Sequence, residues 1–181
     1  ILDELLRDPR TPAHLRPLAQ RSRAYTASKQ RDFATYAADL EALYKISPNA
    51  DLRGDLLRAL DRAGRHQDAI DLWLTMAQKR GRAGTAALSQ AIEQAVRGGL
   101  YRQARTLFDR LPAKDRQRGD RPWTDAWLKL RLGERDAAIS AFAALERRRG
   151  EQAGVARYFR GRLLLTSPED RAEGVKVLKG I

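Results

Sequence analysis

Residues 63–73 read AGRHQDAIDLW, and two later stretches repeat the layout: GGLYRQARTLF at 98–108 and LGERDAAISAF at 132–142. Gly64, Gly99 and Gly133 stand 35 and 34 residues apart, as do Ala69, Ala104 and Ala138, and again Trp73, Phe108 and Phe142. A fixed period of this length marks a row of small supersecondary units, none able to bury its apolar face alone. The layout of one unit has a direct physical reading. The glycine takes the left-handed backbone of a tight turn after one helix, where a Cβ would be strained. The alanine sits where the next helix crosses its neighbour closely, and the aromatic one turn later fills the groove that small residues leave.

Outward from these turns, each unit reads as two helices. In residues 50–83, Leu52, Leu56, Leu57 and Leu60 share one face of a first helix, and Ala69, Ile70, Trp73 and Met76 share one face of a second. Thr85 is a candidate N-cap for a helix bearing Leu88, Ile92, Ala95 and Val96, after the connector GRAG at 81–84. Ala104, Leu107, Phe108 and Leu111 line its partner. Asp120 is the candidate cap of the next first helix, with Pro122 in the first turn where a missing N–H costs nothing. Its second helix carries Ala138, Ile139, Phe142 and Leu145. Upstream, Phe33, Leu40 and Leu43 form a further second helix closed by Pro48, with Tyr36 where the other units have Ala. Downstream, Ser167-Pro168-Glu169-Asp170 has the form of a capping box with Pro at the first helical position. Five units are expected over about 17–49, 50–83, 84–118, 119–152 and 153–181, in one solenoid over 1–181 cut from a longer array.

Composition agrees with an all-α chain: Ala, Leu and Arg dominate and β-branched residues are sparse. No apolar run approaches the roughly 20 residues of a membrane span, so no membrane insertion by these residues is expected. The chain has no Cys, which removes disulfides, thiolate nucleophiles and cysteine–zinc sites. The net charge of +12 raises the question of an acidic partner or nucleic acid. Acids and bases are interleaved, as in DLRGDLLRALDR, and the excess is spread along the chain. It is largest in 84–118, where seven Lys and Arg face three Asp and Glu. Solvated helix faces explain this better than a nucleic-acid footprint.

These residues resemble the tetratricopeptide repeat, a helix–turn–helix unit of 34 residues. Ala69 and Trp73, Ala104 and Phe108, Ala138 and Phe142, together with Pro48 and the turn glycines, match that family's small, aromatic, proline and turn positions. The family's first-helix Trp, Leu and Gly are largely missing, since residues 53, 56 and 57 are Arg, Leu and Leu. The helical ring domains of soluble lytic transglycosylases therefore stay in play as an alternative, and an RNA-binding helical repeat is a second one. The resemblance implies a right-handed α–α superhelix whose first helices line a concave surface for protein partners. In its Ala/Leu/Arg-rich style the chain also resembles the long periplasmic repeat scaffolds of bacterial exopolysaccharide export systems of the Pel type. This implies a periplasmic location and a partner in secretion.

Catalytic patterns are missing. HExxH and GxxxxGK[ST] do not occur; His14 and His66 are isolated, and His66 in GRHQD reads as a surface imidazole. Ser89, Ser140 and Ser167 have no recognisable base, and Glu134 and Asp136 sit in a turn. No enzyme activity, cofactor or metal is expected. Trp123, Ala126, Trp127 and Leu130 follow i, i+3, i+4, i+7 and read first as a core stripe. Trp127 beside Arg131 is also a candidate anchor for a partner, since Trp and Arg are favoured at binding hot spots. Arg58, Arg62, Glu93 and Arg97 lie off the apolar stripes of first helices and complete the candidate partner-binding set, facing an acidic protein surface.

Overall fold

The computed structural model describes residues 1–78, 81–148 and 150–180, apart from the side chain of Glu151. Lys79, Arg80, Arg149 and Ile181, which fall within the expected repeats, lie outside the described residues. Twelve helices and no strand occur among the described residues, so the chain is all-α. It divides into two compact units, Ile1–Gly98 and Gly99–Ile181.

The first unit holds α1 (Leu2–Arg7), α2 (Arg16–Gln30), α3 (Phe33–Ile46), α4 (Ala50–Arg62), α5 (His66–Ala77) and α6 (Arg82–Arg97). Its helices pack in chain order, α2 on α3, α3 on α4 and α5 on α6. The periodic leucines of α4 behave as expected: Leu56 and Leu60 are buried, with Ala59 between them fully so, while Leu52 and Leu57 pack at the margin. Asn49 caps α4 by accepting from the Leu52 N–H at 2.9 Å, and Asp32 caps α3 through Thr35 N–H at 3.1 Å. One feature carries no sequence signal. Asp39 of α3 is 1% exposed and holds Arg23 of α2 in a bidentate pair, Nε to Oδ2 at 2.9 Å and Nη2 to Oδ1 at 2.6 Å. Such a fork matches both carboxylate oxygens and fixes the two helices in register.

The second unit holds α7 (Tyr101–Asp109), α8 (Ala113–Arg116), α9 (Arg121–Arg131), α10 (Arg135–Glu146), α11 (Glu151–Leu164) and α12 (Arg171–Lys179). Three alanines from three successive helices, Ala126, Ala138 and Ala156, are all 0% exposed. Their small size lets α9, α10 and α11 approach, and Phe142 then reaches across to stack on Phe159 of α11 at 5.5 Å. Between α11 and α12 the small residue becomes Gly174, where an added Cβ would lie 3.1 Å from the Gly161 carbonyl oxygen. An alanine there would force its neighbours to give by a few tenths of an ångström.

The turn positions behave as read: Gly64, Gly99 and Gly133 have φ of 69, 72 and 79°. The equivalent turn between α2 and α3 carries Arg31 at φ 60°, a left-handed residue with a side chain. Tyr36 takes the alanine position in that pair and is half-buried, while Ala37 beside it is fully buried. Three expectations are corrected. Thr85 is no cap: Gly81, at φ 83°, starts α6 one turn earlier, so Gly84 is helical and buried and the Thr85 hydroxyl donates back to the Gly81 carbonyl. The Ser167–Asp170 box does not open a helix at Pro168; α12 starts at Arg171, and the Asp170 carboxylate is taken by Arg135 at 2.6 Å. Asp120 stands at the N-cap position of α9, with Pro122 in the first turn, but its carboxylate accepts from Gln152 instead of capping.

Arg31 yields a test. Left-handed backbone costs a side-chain-bearing residue roughly 1–2 kcal/mol, and glycine gives back part of that through unfolded-chain entropy, about 0.5–1 kcal/mol. Arg31→Gly should therefore stabilise the protein by up to about 1 kcal/mol, read as a higher melting midpoint, whereas Gly133→Ala should lower it.

Candidate partner-binding surfaces

The polar residues singled out in the first unit lie on α4 and α6, and each meets a different partner. Arg97 of α6 reaches Asp61 of α4, Nη1 to Oδ2 at 3.2 Å, and also donates to Gln94 Oε1 at 2.8 Å. Buried Gln94 in turn donates from Nε2 to Asp61 Oδ1 at 2.8 Å and lies 2.8 Å from His66 Nδ1. An amide NH2 can only donate, so His66 Nδ1 is the acceptor of that contact. His66 is thus a half-buried, bonded residue at the start of α5 and not a free surface imidazole. It also explains the first glycine of RGGL: a Cβ on Gly98 would lie 2.8 Å from the His66 Cβ. Arg58 is exposed and pairs with Asp55 one turn before it. Arg62 lies over the Phe33 ring at 5.5 Å, and exposed Glu93 accepts from Gln90. Of the four, only Arg97 joins the network around Asp61.

In the second unit the stripe on α9 splits its roles. Ala126 is fully buried, and Trp123 sits edge-on to both Phe142 and Phe159, at 5.6 and 6.1 Å, as core. Trp127 is half-buried, edge-on to Phe159 at 5.5 Å, and its other side is met by Arg131 at 5.8 Å. The Arg131 guanidinium also lies 4.6 Å from the centre of the Tyr101 ring. On α11, exposed Tyr158 touches Phe159 and is covered by Arg162, which donates to its hydroxyl at 3.0 Å. Guanidinium and ring faces alternate along this surface, each cation held by ring electrostatics.

On α9, Asp125 and Lys129 are one turn apart and about 160° around the helix from Trp127. They face a cavity of about 690 Å³ lined from α7, α8, α9 and α10. Among the described residues, Arg105, Arg116, Lys129 and Arg148 surround it, with Asp125 as its one acidic wall residue. Asp125 accepts from Arg105 at 2.6 Å and from Lys129 at 2.7 Å. Burial works against the Arg105 charge, but its bonds to Asp125 and Asp109 outweigh that and raise its pKa. The sequence reading missed this site. Its only trace there is the charge excess in 84–118, which includes Arg105 and Arg116. A second cavity of about 660 Å³ lies beside Glu146, Arg157, Arg160 and Glu173. Glu146 accepts from both arginines at 2.8 Å.

Among the described residues, no group of three or more His, Cys, Asp or Glu could hold a metal ion, and no helix is long and apolar enough to cross a membrane. No protein-family model and no curated protein matches the chain. Its fold is similar to the crystal structure of a Podosopora anserina protein described as a kinesin light chain with nearly identical TPR-like repeats. That likeness has a TM-score of 0.58 at 15% identity and covers 92% of each chain. A point variant of the same protein gives a TM-score of 0.58 at 15% identity, over 96% of this chain and 95% of the other. The fold is that of TPR-like helix pairs.

The Glu146 cluster predicts a pH dependence. Burial pushes the Glu146 carboxyl up, yet the hydrogen bonds and charges of Arg157 and Arg160 more than offset this and hold it below its usual 4.5. A depressed carboxyl adds stability above its unfolded value and loses it as pH falls through the folded one. Glu146→Gln should lower the melting midpoint at neutral pH, and the gap to wild type should close progressively below about pH 4.5. A gap that stays constant into acid would remove the charge from the explanation.

Proposed function

We propose that the chain is a non-catalytic scaffold that binds another protein. The observation that carries this reading is the stack of Tyr101 of α7 with Arg131 and Trp127 of α9. Trp, Tyr and Arg dominate binding hot spots. Here Phe159 behind Trp127 and the two rings around Arg131 already hold the side chains in place, which reduces the ordering cost of association. In the first unit, Arg58, Arg62, Glu93 and Arg97 are exposed and serve as a polar contact surface for the same class of partner. The net charge of +12 favours partners with acidic surfaces and speeds their association.

The narrower reading, recruitment of a partner for periplasmic exopolysaccharide secretion at a bacterial outer membrane, rests on the style of the sequence alone. No structural observation favours a lytic transglycosylase domain or an RNA-binding repeat over the scaffold.

The test is affinity capture from the organism that carries the gene, with wild type and an Arg58→Glu, Arg97→Glu, Arg131→Glu triple variant side by side. Circular dichroism should stay helical, while the partners captured by wild type should fall at least severalfold with the variant, because like charges across an interface repel. Equal recovery of the same partners would move the binding site away from the first helices.

A further inference from the structure

We infer that the cavity between α7 and α10 is a second docking site, on the opposite side of α9 from Trp127, and that it takes an acidic peptide segment of a protein partner. The inference rests on the scaffold reading, but on a different helix face.

Charge is the first reason. Four cations border the cavity against Asp125, and Asp125 is already shared between Arg105 and Lys129. Arg105 is further tied to Asp109 through two bonds. That leaves two cations with capacity. Arg148 donates to the neutral amide of Gln117 at 3.1 Å, and Arg116 comes no nearer to Asp109 than 3.8 Å. A carboxylate, with two acceptor oxygens, suits a guanidinium better than any neutral group.

The wall between these cations is the second reason. Successive turns of α10 present Ala137, Ser140, Ala141 and Ala144 to the cavity, facing Phe108 and Pro122. Small side chains leave a trough beside the helix, and the apolar wall offers contact to Cβ and methylene groups. A polypeptide carrying Glu or Asp uses both parts at once. An inorganic phosphate or a sugar–phosphate backbone would use only the cations.

The probe for testing is a fluorescein-labelled peptide of alternating glutamate and alanine, followed by fluorescence anisotropy at low salt, with the glutamine–alanine peptide as control. The acidic peptide should bind and the control should not. Arg116→Glu with Arg148→Glu should weaken binding by about tenfold or more, and so should Ala144→Trp, which keeps every charge and fills the trough. Arg21→Glu with Lys29→Glu reverses the same charge at two exposed residues of α2, outside both surfaces, and should leave the affinity unchanged. In a nitrogen-15 titration the amides of Ala137, Ser140 and Ala144 should shift. The site is overturned if the acidic peptide does not bind, if both charge reversals weaken it equally, or if polyphosphate of matched charge displaces it while Ala144→Trp has no effect. Shifts confined to Trp127 and Arg131 would also overturn it, and would leave the first-helix scaffold reading standing.

Discussion

Close approach between neighbouring helices is the constraint on which everything else here depends. Ala126, Ala138 and Ala156 have no exposed surface, and Gly174 takes over that role between α11 and α12, where a methyl group would meet backbone. Packing at interior density leaves no slack, so each small residue dictates what its neighbours must be. With the axes drawn together, a residue one turn on can reach the next helix, and Phe142 does so against Phe159. The same ring contacts set Trp123 into the core and leave Trp127 half out of it. The exposed aromatic–arginine surface is therefore a by-product of the packing rule, not a separate addition.

Charge is organised by the same geometry. Many of the acidic side chains are engaged between elements: Asp39 with Arg23, Glu41 with Arg65, Asp61 with Arg97, Asp125 with Arg105, Glu146 with Arg157 and Arg160, and Asp170 with Arg135. Most of these pairs are partly exposed and contribute little each. Asp39 differs, because it is buried and both its oxygens are bonded to Arg23, so removing Arg23 would strand a buried charge. A chain with a large arginine excess that spends its carboxylates on such ties is left with cations at its surface. Some of these, like Arg131, are stabilised by rings instead of acids.

The helix α9 shows how one short element can serve two surfaces. Trp127 and Arg131 belong to the first-helix side, while Asp125 and Lys129 belong to the cavity wall, and the helical period alone separates them. A partner engaging both sides of this helix would gain from the proximity of the second contact once the first is made.

The sequence by itself determined the fold class, the helix pairs and most of the core. A period of 34 or 35 residues, the glycine at each turn and the apolar spacing within each helix are local patterns, and local patterns are what helical geometry imposes directly. It also pointed to Trp127 and Arg131, since they stand one turn apart on one helix. It misplaced the start of α6 and α12, where Gly81 and the Asp170–Arg135 pair outcompeted the expected caps. Only the tertiary structure decided that Asp39 is buried, that His66 accepts from Gln94, and that Arg105, Arg116, Lys129 and Arg148 ring one cavity. Those arrangements join residues on different elements, 11 to 43 positions apart, and no short-range period encodes which charged side chains meet across such a distance.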